Sequence, residues 1–585
     1  MKLLGANISE RVLNFLECEV TPEMPLSVVN DLIFKVCGII DFIKTEAELD
    51  QLSNNLVTHK ENEEIDRSEY GDFQTNLELA LAASSLIKNK GVSPEVIVEP
   101  TCGVGNFILA ALHQFETIQI VYAVEIYKPY IYEAQFKILD FLLSNPDRTI
   151  PRIVIHHCSV FDFDFSTIAS SHQDKQILIT GNPPWVTNSK LSTLNSSNLP
   201  EKENFKKHQG LAAITGKGNF DIAENISLMM LNTFQHSNGY LALLVKSSVI
   251  KNILHDQRKN SYRIQTIEQY KIDSKKEFNA AVDAALFACR TNSAPEFICT
   301  EYDFYDKQQE QLRFGWVGDK FVSNLDDYLH TNNIDGTCQF IWRQGLKHDC
   351  SAIMELDKVH GHYINSNNQK VVLEEELVYG LLKSSDLKSS VINKTRKYTI
   401  VTQRKPGQDT SYIETSYPGI FDYLTSNKEK FDNRKSSIYK GKPAFSIFGI
   451  GDYSFKAYKV AISGLYKTFH FTLITPQNDK SVMLDDTCYF IGFDNVEFAA
   501  YSYCLLNSSY AFHFLKSITF KDAKRIFTKD ILMRIDIFKL ASAVGFETIT
   551  SEINKLNNEY ALNVNLNSWD AFLEELKPNK NVINQ

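Results

Sequence analysis

Short apolar runs separated by amphipathic stretches constrain this chain more than any other feature. Between residues 66 and 295 the runs are Val96-Ile97-Val98, Ile120–Val124, Ile153-Val154-Ile155, Ile177-Leu178-Ile179 and Gly239–Val245. Each is too short for a helix and apolar throughout, the pattern of a strand buried on both faces. The stretches between them place apolar residues at helical spacing, as in Ile108-Leu109-Ala110-Ala111-Leu112 and Ile222–Phe234. Strand and helix in alternation predict an α/β fold on a doubly wound, Rossmann-like sheet over residues 66–295.

The residues that end these runs carry chemistry. The first run leads into Glu99-Pro100-Thr101-Cys102-Gly103-Val104-Gly105-Asn106-Phe107. Its glycines allow a tight strand-to-helix turn and close approach of backbone to a ligand. The second run ends in Glu125. An acid about 20 positions after a glycine turn, at a strand end, is placed to accept both hydroxyls of a ribose. The turn lacks the G-x-G-x-x-G spacing and no P-loop lysine follows, which argues against dinucleotides and nucleoside triphosphates. An ordinary βαβ turn is the alternative, and the next motif disfavours it.

That motif is Asn182-Pro183-Pro184-Trp185, at the end of the run Ile177-Leu178-Ile179. The Asn182 side-chain oxygen and the Pro183 carbonyl can each accept one hydrogen from an exocyclic amine. Two prolines fix the backbone and remove competing N–H donors. Trp185 offers a face on which a planar base stacks. The four residues alone would also suit a proline turn after a buried strand. The nucleoside pocket upstream tips the balance.

In this collinear order the motifs resemble those of the N6-adenine DNA methyltransferases of restriction–modification systems, in the gamma order. There the cofactor half comes first, the catalytic tetrapeptide second and a target-recognition domain last. The resemblance covers about residues 70–290, and more loosely continues to about 540. It implies a class I methyltransferase fold, S-adenosyl-L-methionine as cofactor, and double-stranded DNA with a flipped adenine as substrate. Tyr70-Gly71-Asp72-Phe73-Gln74-Thr75 resembles the segment that wraps the methionine end of the cofactor, with Phe73, Gln74 and Thr75 as the contacting residues. Glu99, Thr101, Cys102 and Gly103 match the glycine turn, and Glu125 the ribose-binding acid. Gly218-Asn219-Phe220-Asp221-Ile222 and Gly239–Val245 match the two motifs that follow. Phe278, opening Phe278-Asn279-Ala280-Ala281-Val282-Asp283, stands where the family places a second aromatic, so Trp185 and Phe278 are expected to sandwich the base.

One position departs from the family pattern. The acid that contacts the cofactor's adenine is replaced, by spacing, with Ser159, and Asp162 follows one helical turn later. A serine hydroxyl can still accept from the adenine amine.

Net charge is −10 over 585 residues, unexpected for a protein that binds a polyanion. Its distribution resolves this. Residues 1–70 hold fourteen acids against six bases, while residues 391–470 hold fourteen bases against six acids. In the basic window Tyr398, Tyr412, Tyr417, Phe421, Tyr439, Phe445, Phe448, Tyr453, Phe455 and Tyr458 are interspersed with the cations. Clustered cations neutralise phosphates while aromatic and polar groups meet bases. Arg396, Lys397, Arg404, Lys405, Arg434, Lys435, Lys440 and Lys442 are therefore the expected DNA contacts, with a solvated surface over an aromatic core as the alternative.

The expected organisation is an acidic helical segment over 1–65, the catalytic domain over 66–295, a mixed α+β target-recognition domain over 296–545 and a helical tail over 546–585. Residues 187–218 suit a mobile lid, and Phe445–Gly451 a tight buried strand and turn. The ten cysteines show no CxxC pair or zinc spacing, so they read as reduced cytoplasmic thiols with no metal site. No secretory signal or membrane-length apolar run is present. The same Asn-Pro-Pro-aromatic box also methylates glutamine amides in release factors and amines in ribosomal RNA. Those enzymes are compact, and the long region after residue 295 favours duplex DNA. A separate cognate restriction endonuclease is the expected companion, an orphan methylase the alternative, and monomeric action is expected by analogy alone.

Overall fold

The computed structural model describes residues 2–4, 6–21, 23–58, 74–186, 221–306, 309–520 and 525–577. The chain divides into two compact units, Met1–Phe321 and Val322–Gln585. Tyr70–Phe73, the lid expected over 187–218, Gly218–Phe220 and the last eight residues lie outside the described residues.

In the first unit the strands are β1 (Val96–Glu99), β2 (Ile120–Glu125), β3 (Arg152–His157), β4 (Ile177–Gly181), β5 (Gly239–Lys246), β6 (Gln265–Ile272), β7 (Ala284–Arg290), β8 (Ile298–Asp303), β9 (Glu310–Val317) and β10 (Lys320–Val322). They form one sheet in the order β10-β9-β8-β6-β7-β5-β4-β1-β2-β3. Strands β3, β2, β1, β4 and β5 are parallel, and β7 runs antiparallel between β5 and β6. The strand order reverses between β1 and β4. A crevice opens at such a switch point, beyond the carboxyl ends of the two strands, because their following connections leave to opposite faces.

The five parallel strands are those read from the apolar runs. Val96, Ile97 and Val98 are fully buried. Burial of each such side chain contributes about 1.5–3 kcal/mol, enough to outweigh weak local propensities. Helices α4 (Leu77–Asn89), α5 (Asn106–Gln114), α6 (Lys128–Leu143), α7 (Ser166–Ser171), α8 (Ile222–Phe234), α9 (Ser247–Asn260) and α10 (Ser274–Phe278) follow α1 (Glu10–Glu19), α2 (Leu26–Cys37) and α3 (Glu46–Thr58). α4 starts where the Asn76 side chain accepts from Leu79 N, at 2.7 Å.

Two expected boundaries move. Strand β8 pairs with β6 and β9 with β8, so the sheet continues past residue 295 and the first unit ends at Phe321. These outer strands carry Asp303, Glu310 and Arg313 at partly or fully exposed positions, and the acid Glu301 at a buried one. A sheet edge with a wetted face loses the uniform apolar run by which inner strands are recognised. The acidic N-terminal segment is likewise part of this unit. Ser9 Oγ donates to Asp140 Oδ1 at 2.6 Å, Gln135 Nε2 to Phe42 O at 3.2 Å, and Ile40 N to Ile153 O at 2.9 Å. Its helices cover the β3 end of the sheet.

The second unit is mixed α+β. A five-stranded sheet is ordered Arg343–Gln344, Cys488–Phe493, Tyr458–Ser463, Phe471–Ile474 and Val391–Ile392. A six-stranded sheet is ordered Lys370–Val371, His362–Asn365, Glu355–Val359, Lys397–Ile400, Val378–Leu382 and Met483–Leu484. The C-terminal helices belong to the same unit: Tyr501 OH donates to Asn565 O at 2.6 Å, and Phe572 is fully buried. Phe445–Gly451 is buried but is not a strand. Phe445 and Gly449 stand at φ +58° and +66°, which interrupts an extended ladder. One backbone bridge remains, between Phe448 and Lys347, and side chains supply the rest, with Gln403 Oε1 accepting from Ile447 N and Thr402 Oγ1 donating to Phe445 O. Among the described residues no helix is long and apolar enough to cross a membrane.

Candidate active site

At the carboxyl ends of β1, β2 and β4 lies a cleft. It is lined by Gln74, Thr75, Glu99, Thr101, Cys102, Gly103, Glu125 and all four residues Asn182–Trp185. The fold thus joins two motifs that the sequence holds about 80 residues apart.

The glycine turn shapes one wall. Gly103 stands at φ +50°, and a Cβ there would come within 2.7 Å of Gln74 Oε1. Only glycine meets both demands without strain. Val104 N donates to Gln74 Oε1 at 3.3 Å, so the segment before α4 is tied to the turn. Glu125, at the end of β2, accepts from Gly103 N at 2.9 Å and from Tyr127 N at 2.8 Å. One backbone N–H on each carboxylate oxygen fixes the plane of the group and leaves each oxygen capacity to accept again.

Glu99 is fully buried beside it. Burial pushes its carboxyl well above the usual carboxylate range, the Ile108 backbone hydrogen bond opposes this, and the Glu125 charge adds to it. Burial, then the charges of Glu125 and Glu99, push the Cys102 thiol up as well, so Cys102 packs the turn and is no nucleophile. Glu99 Oε2 and Thr101 Oγ1 are buried without a hydrogen-bond partner. Two such atoms in one cleft mark where a polar ligand completes the site.

At the opposite wall Asn182 Nδ2 donates to Thr75 Oγ1 at 3.1 Å. In this orientation the bond anchors the amide through Nδ2, and Oδ1 is its accepting atom. Trp185 is held at both ends: its indole Nε1 donates to Leu244 O at 3.3 Å, and its carbonyl accepts from Lys246 Nζ at 3.0 Å. Phe278, the last residue of α10, meets Trp185 edge to face with centroids 5.0 Å apart. The sequence predicts a base sandwiched between these two rings; here they touch each other, and rings in edge contact leave no slot between them.

Ser159 and Asp162 do not line the cleft. Ser159 Oγ accepts from Phe161 N at 3.3 Å and its carbonyl from Asp162 N at 3.1 Å, which turns this segment on itself. Cys158, Val160 and Phe161 form the wall instead. Phe73 lies outside the described residues. Sequence reading missed Asn106, Tyr127 and Tyr130, all of which line the cleft. Asn106 Nδ2 donates to Thr75 O at 2.6 Å, and Tyr127 and Tyr130 pack edge to face at 4.9 Å. Tyr127 was findable, since it follows the carboxyl end of a parallel strand where ligands bind.

In the second unit, Arg396, Arg404, Lys405, Lys435, Lys440 and Lys442 are exposed. Arg396 pairs with Asp386 at 3.3 Å, Lys397 with Asp357 at 3.1 Å, and the Arg404 guanidinium lies 4.0 Å from the Phe455 ring centroid. Arg434 serves the fold. It donates to Phe431 O, His348 O and Ser446 O at 3.0, 3.2 and 2.7 Å and lies 3.7 Å from the Tyr439 ring centroid. The interspersed aromatics serve it too: Phe445 is in the core, with Tyr398, Tyr412, Tyr417, Phe421 and Phe455 packed against it. Arg434→Ala should therefore destabilise this unit by about 2–4 kcal/mol, because three backbone carbonyls lose a charged donor. The salt dependence of DNA binding should be unaltered, whereas Lys440→Ala should flatten it if Lys440 meets a phosphate. Denaturant melts and salt titrations measure the two effects separately.

Over 485 residues the chain is 38% identical to the type II methyltransferase M.NspV of Nostoc sp. (strain ATCC 29411 / PCC 7524), covering 83% of this chain and 99% of that protein. The chain belongs to the type II methyltransferases of restriction–modification systems. Among solved structures, the type IIL restriction–modification enzyme MmeI in complex with DNA is similar in fold, with TM-score 0.52 at 12% identity over 97% of this chain and 89% of that one. No protein-family model matches the chain. The fold shared with the MmeI structure comprises the large mixed sheet of the first unit together with a second unit. S-adenosyl-L-methionine is the methyl donor of this methyltransferase.

The cleft fits that cofactor. Glu125 suits the ribose hydroxyls, while Glu99, Thr101, Gln74 and Thr75 suit the polar methionine end. The cofactor carries a sulfonium and an ammonium against one carboxylate, a net positive charge. A cationic ligand favours the ionised form of Glu99, whose carboxyl burial holds well above the usual carboxylate range. Binding should therefore release a proton, and affinity should rise with pH until Glu99 is ionised in the free protein. Calorimetry in buffers of different ionisation enthalpy measures the released proton, and Glu99→Gln should abolish the release.

Proposed function

We propose that this methyltransferase transfers a methyl group to the exocyclic N6 of an adenine flipped out of double-stranded DNA. The observation that carries this reading is the Asn182 amide, anchored by Thr75 and facing the same cleft as Glu99 and Glu125. S-adenosyl-L-methionine, when bound, supplies a methyl group already activated by its sulfonium. The protein then needs alignment more than acid–base power. Asn182 Oδ1 and the Pro183 carbonyl each accept one hydrogen of the adenine amine. Its lone pair, otherwise delocalised into the ring, is thereby drawn out of the ring plane. No dedicated base is required, because the methylated ammonium is acidic enough to lose its proton to water.

A base inside a duplex cannot enter such a cleft, so the adenine leaves the stack at a cost of a few kcal/mol. Stacking on Trp185 offsets about 1–3 kcal/mol of that. Since Phe278 rests edge-on against Trp185, stacking on that face requires the two rings to part. The second unit, with exposed Lys405, Lys435, Lys440 and Lys442, serves as the target-recognition domain in this reading. Methylation protects the site from a separate endonuclease of the same specificity.

The test is single-molecule sequencing of plasmid DNA from a methylation-free host that expresses the chain, beside an Asn182→Ala control. N6-methyladenine at one short motif, absent from the control, is the expected result. A methylated cytosine, or unmarked DNA despite normal cofactor binding, would overturn the reading.

A further inference from the structure

Lys246 occupies a position that the cofactor cleft does not explain. It is the last residue of β5 and the N-cap of α9. Strand β5 lies parallel to β4, with Gly181 opposite Leu243. The catalytic tetrapeptide, which continues from β4, therefore runs beside Leu244–Lys246. Lys246 Nζ donates to Trp185 O at 3.0 Å and to Asp221 Oδ2 at 2.5 Å. The two charged side chains are only 18% and 13% exposed. Asp221 in turn caps α8, accepting from Ala223 N through Oδ1 at 3.0 Å. A backbone bond, Ile222 N to Val186 O at 2.9 Å, closes the same junction. These bonds join Val186 and Trp185 to Asp221 and Ile222, which the sequence holds about 35 residues apart.

We propose that Lys246 is a positioning residue for methyl transfer, locking the carbonyl end of Asn182–Trp185 to the start of α8. The proposal rests on the reading of Asn182 as the group that holds the acceptor amine. Two prolines make the tetrapeptide stiff, so fixing its last carbonyl fixes the direction of its first side chain. The Leu244 carbonyl already grips the indole of Trp185. Lys246 adds the second grip, and without it the tetrapeptide can turn about the indole contact. Lys246 is not among the residues that line the cleft, so its effect falls on geometry. Misplacement by about 1 Å costs about 100-fold in rate.

The experiment compares Lys246→Met, Lys246→Arg, Asp221→Asn and Asn182→Ala in the full chain, reading kcat on target DNA and the Kd for S-adenosyl-L-methionine. Lys246→Met should lower kcat by about 10- to 100-fold with Kd within about twofold. Lys246→Arg should recover most of the loss, because a guanidinium reaches two acceptors at once. Asp221→Asn keeps the helix cap and loses the ion pair, and should fall between them. Wild-type kcat in Lys246→Met beside an inactive Asn182→Ala overturns the positioning role alone. Equal losses in kcat and cofactor affinity, or no recovery with arginine, reduce Lys246 to a structural residue and also overturn it. An active Asn182→Ala instead overturns the underlying reading of the site.

Discussion

Asn182→Ala should lower kcat by about 1000-fold or more while leaving the Kd for S-adenosyl-L-methionine within about twofold. Removal of one preorganised polar partner from a reacting group costs about 100- to 1000-fold in comparable sites. Here the same residue also orients the acceptor, so the loss should reach the upper end. Cofactor affinity should survive because the groups suited to the ribose and methionine ends belong to β1, β2 and the segment before α4. Asn182 meets that side at Thr75 Oγ1. Asn182→Asp is the sharper variant. Asp cannot donate to Thr75 as Asn does, although the hydroxyl can reverse its role, and its charge is costly in a cleft that already holds Glu99 and Glu125. Single-turnover methylation of a target duplex, with cofactor binding followed by calorimetry, gives both quantities. Loss of affinity equal to the loss of rate would refute the division of labour.

Glu125→Ala should act on the other term, weakening S-adenosyl-L-methionine by about 100-fold or more while kcat at saturating cofactor changes little. A hydrogen bond to a charged acceptor contributes about 1.5–3 kcal/mol, and a ribose offers two hydroxyls to this carboxylate. Each 1.4 kcal/mol is a factor of ten in affinity. The variant also takes the acceptor from Gly103 N and Tyr127 N, which loosens the glycine turn. Glu125→Gln should be nearly as damaging. Both carboxylate oxygens face backbone donors, and an amide presents an NH2 to one of them. S-adenosylhomocysteine shares the ribose and lacks the sulfonium, so it should lose affinity by the same factor. A loss below about threefold for that ligand would show that Glu125 does not hold the ribose.

The inner strands were legible because burial on both faces leaves them uniformly apolar, as Val96–Val98 and Ile177–Ile179 are. The outer strands β8 and β9 were not, because a wetted face carries acids and bases among the apolar residues. Gly103, Glu125 and Asn182 were legible since each meets a backbone or hydrogen-bonding demand that few residue types satisfy. Arg434 and the aromatics around it misled for the opposite reason. A guanidinium and a tyrosine suit a core junction as well as a DNA surface, and composition does not distinguish the two.

By itself the sequence determined the doubly wound sheet, the glycine turn with its acid, and the proline-stiffened tetrapeptide Asn182–Trp185 at the end of β4. Those features rest on local backbone demands and on apolar periodicity, both of which are written along the chain. Tertiary structure decided that Trp185 and Phe278 touch, and that Lys246 joins Trp185 to Asp221. Each of these depends on which side chains meet across neighbouring strands and loops, and those encounters exist only once the sheet order brings the segments together.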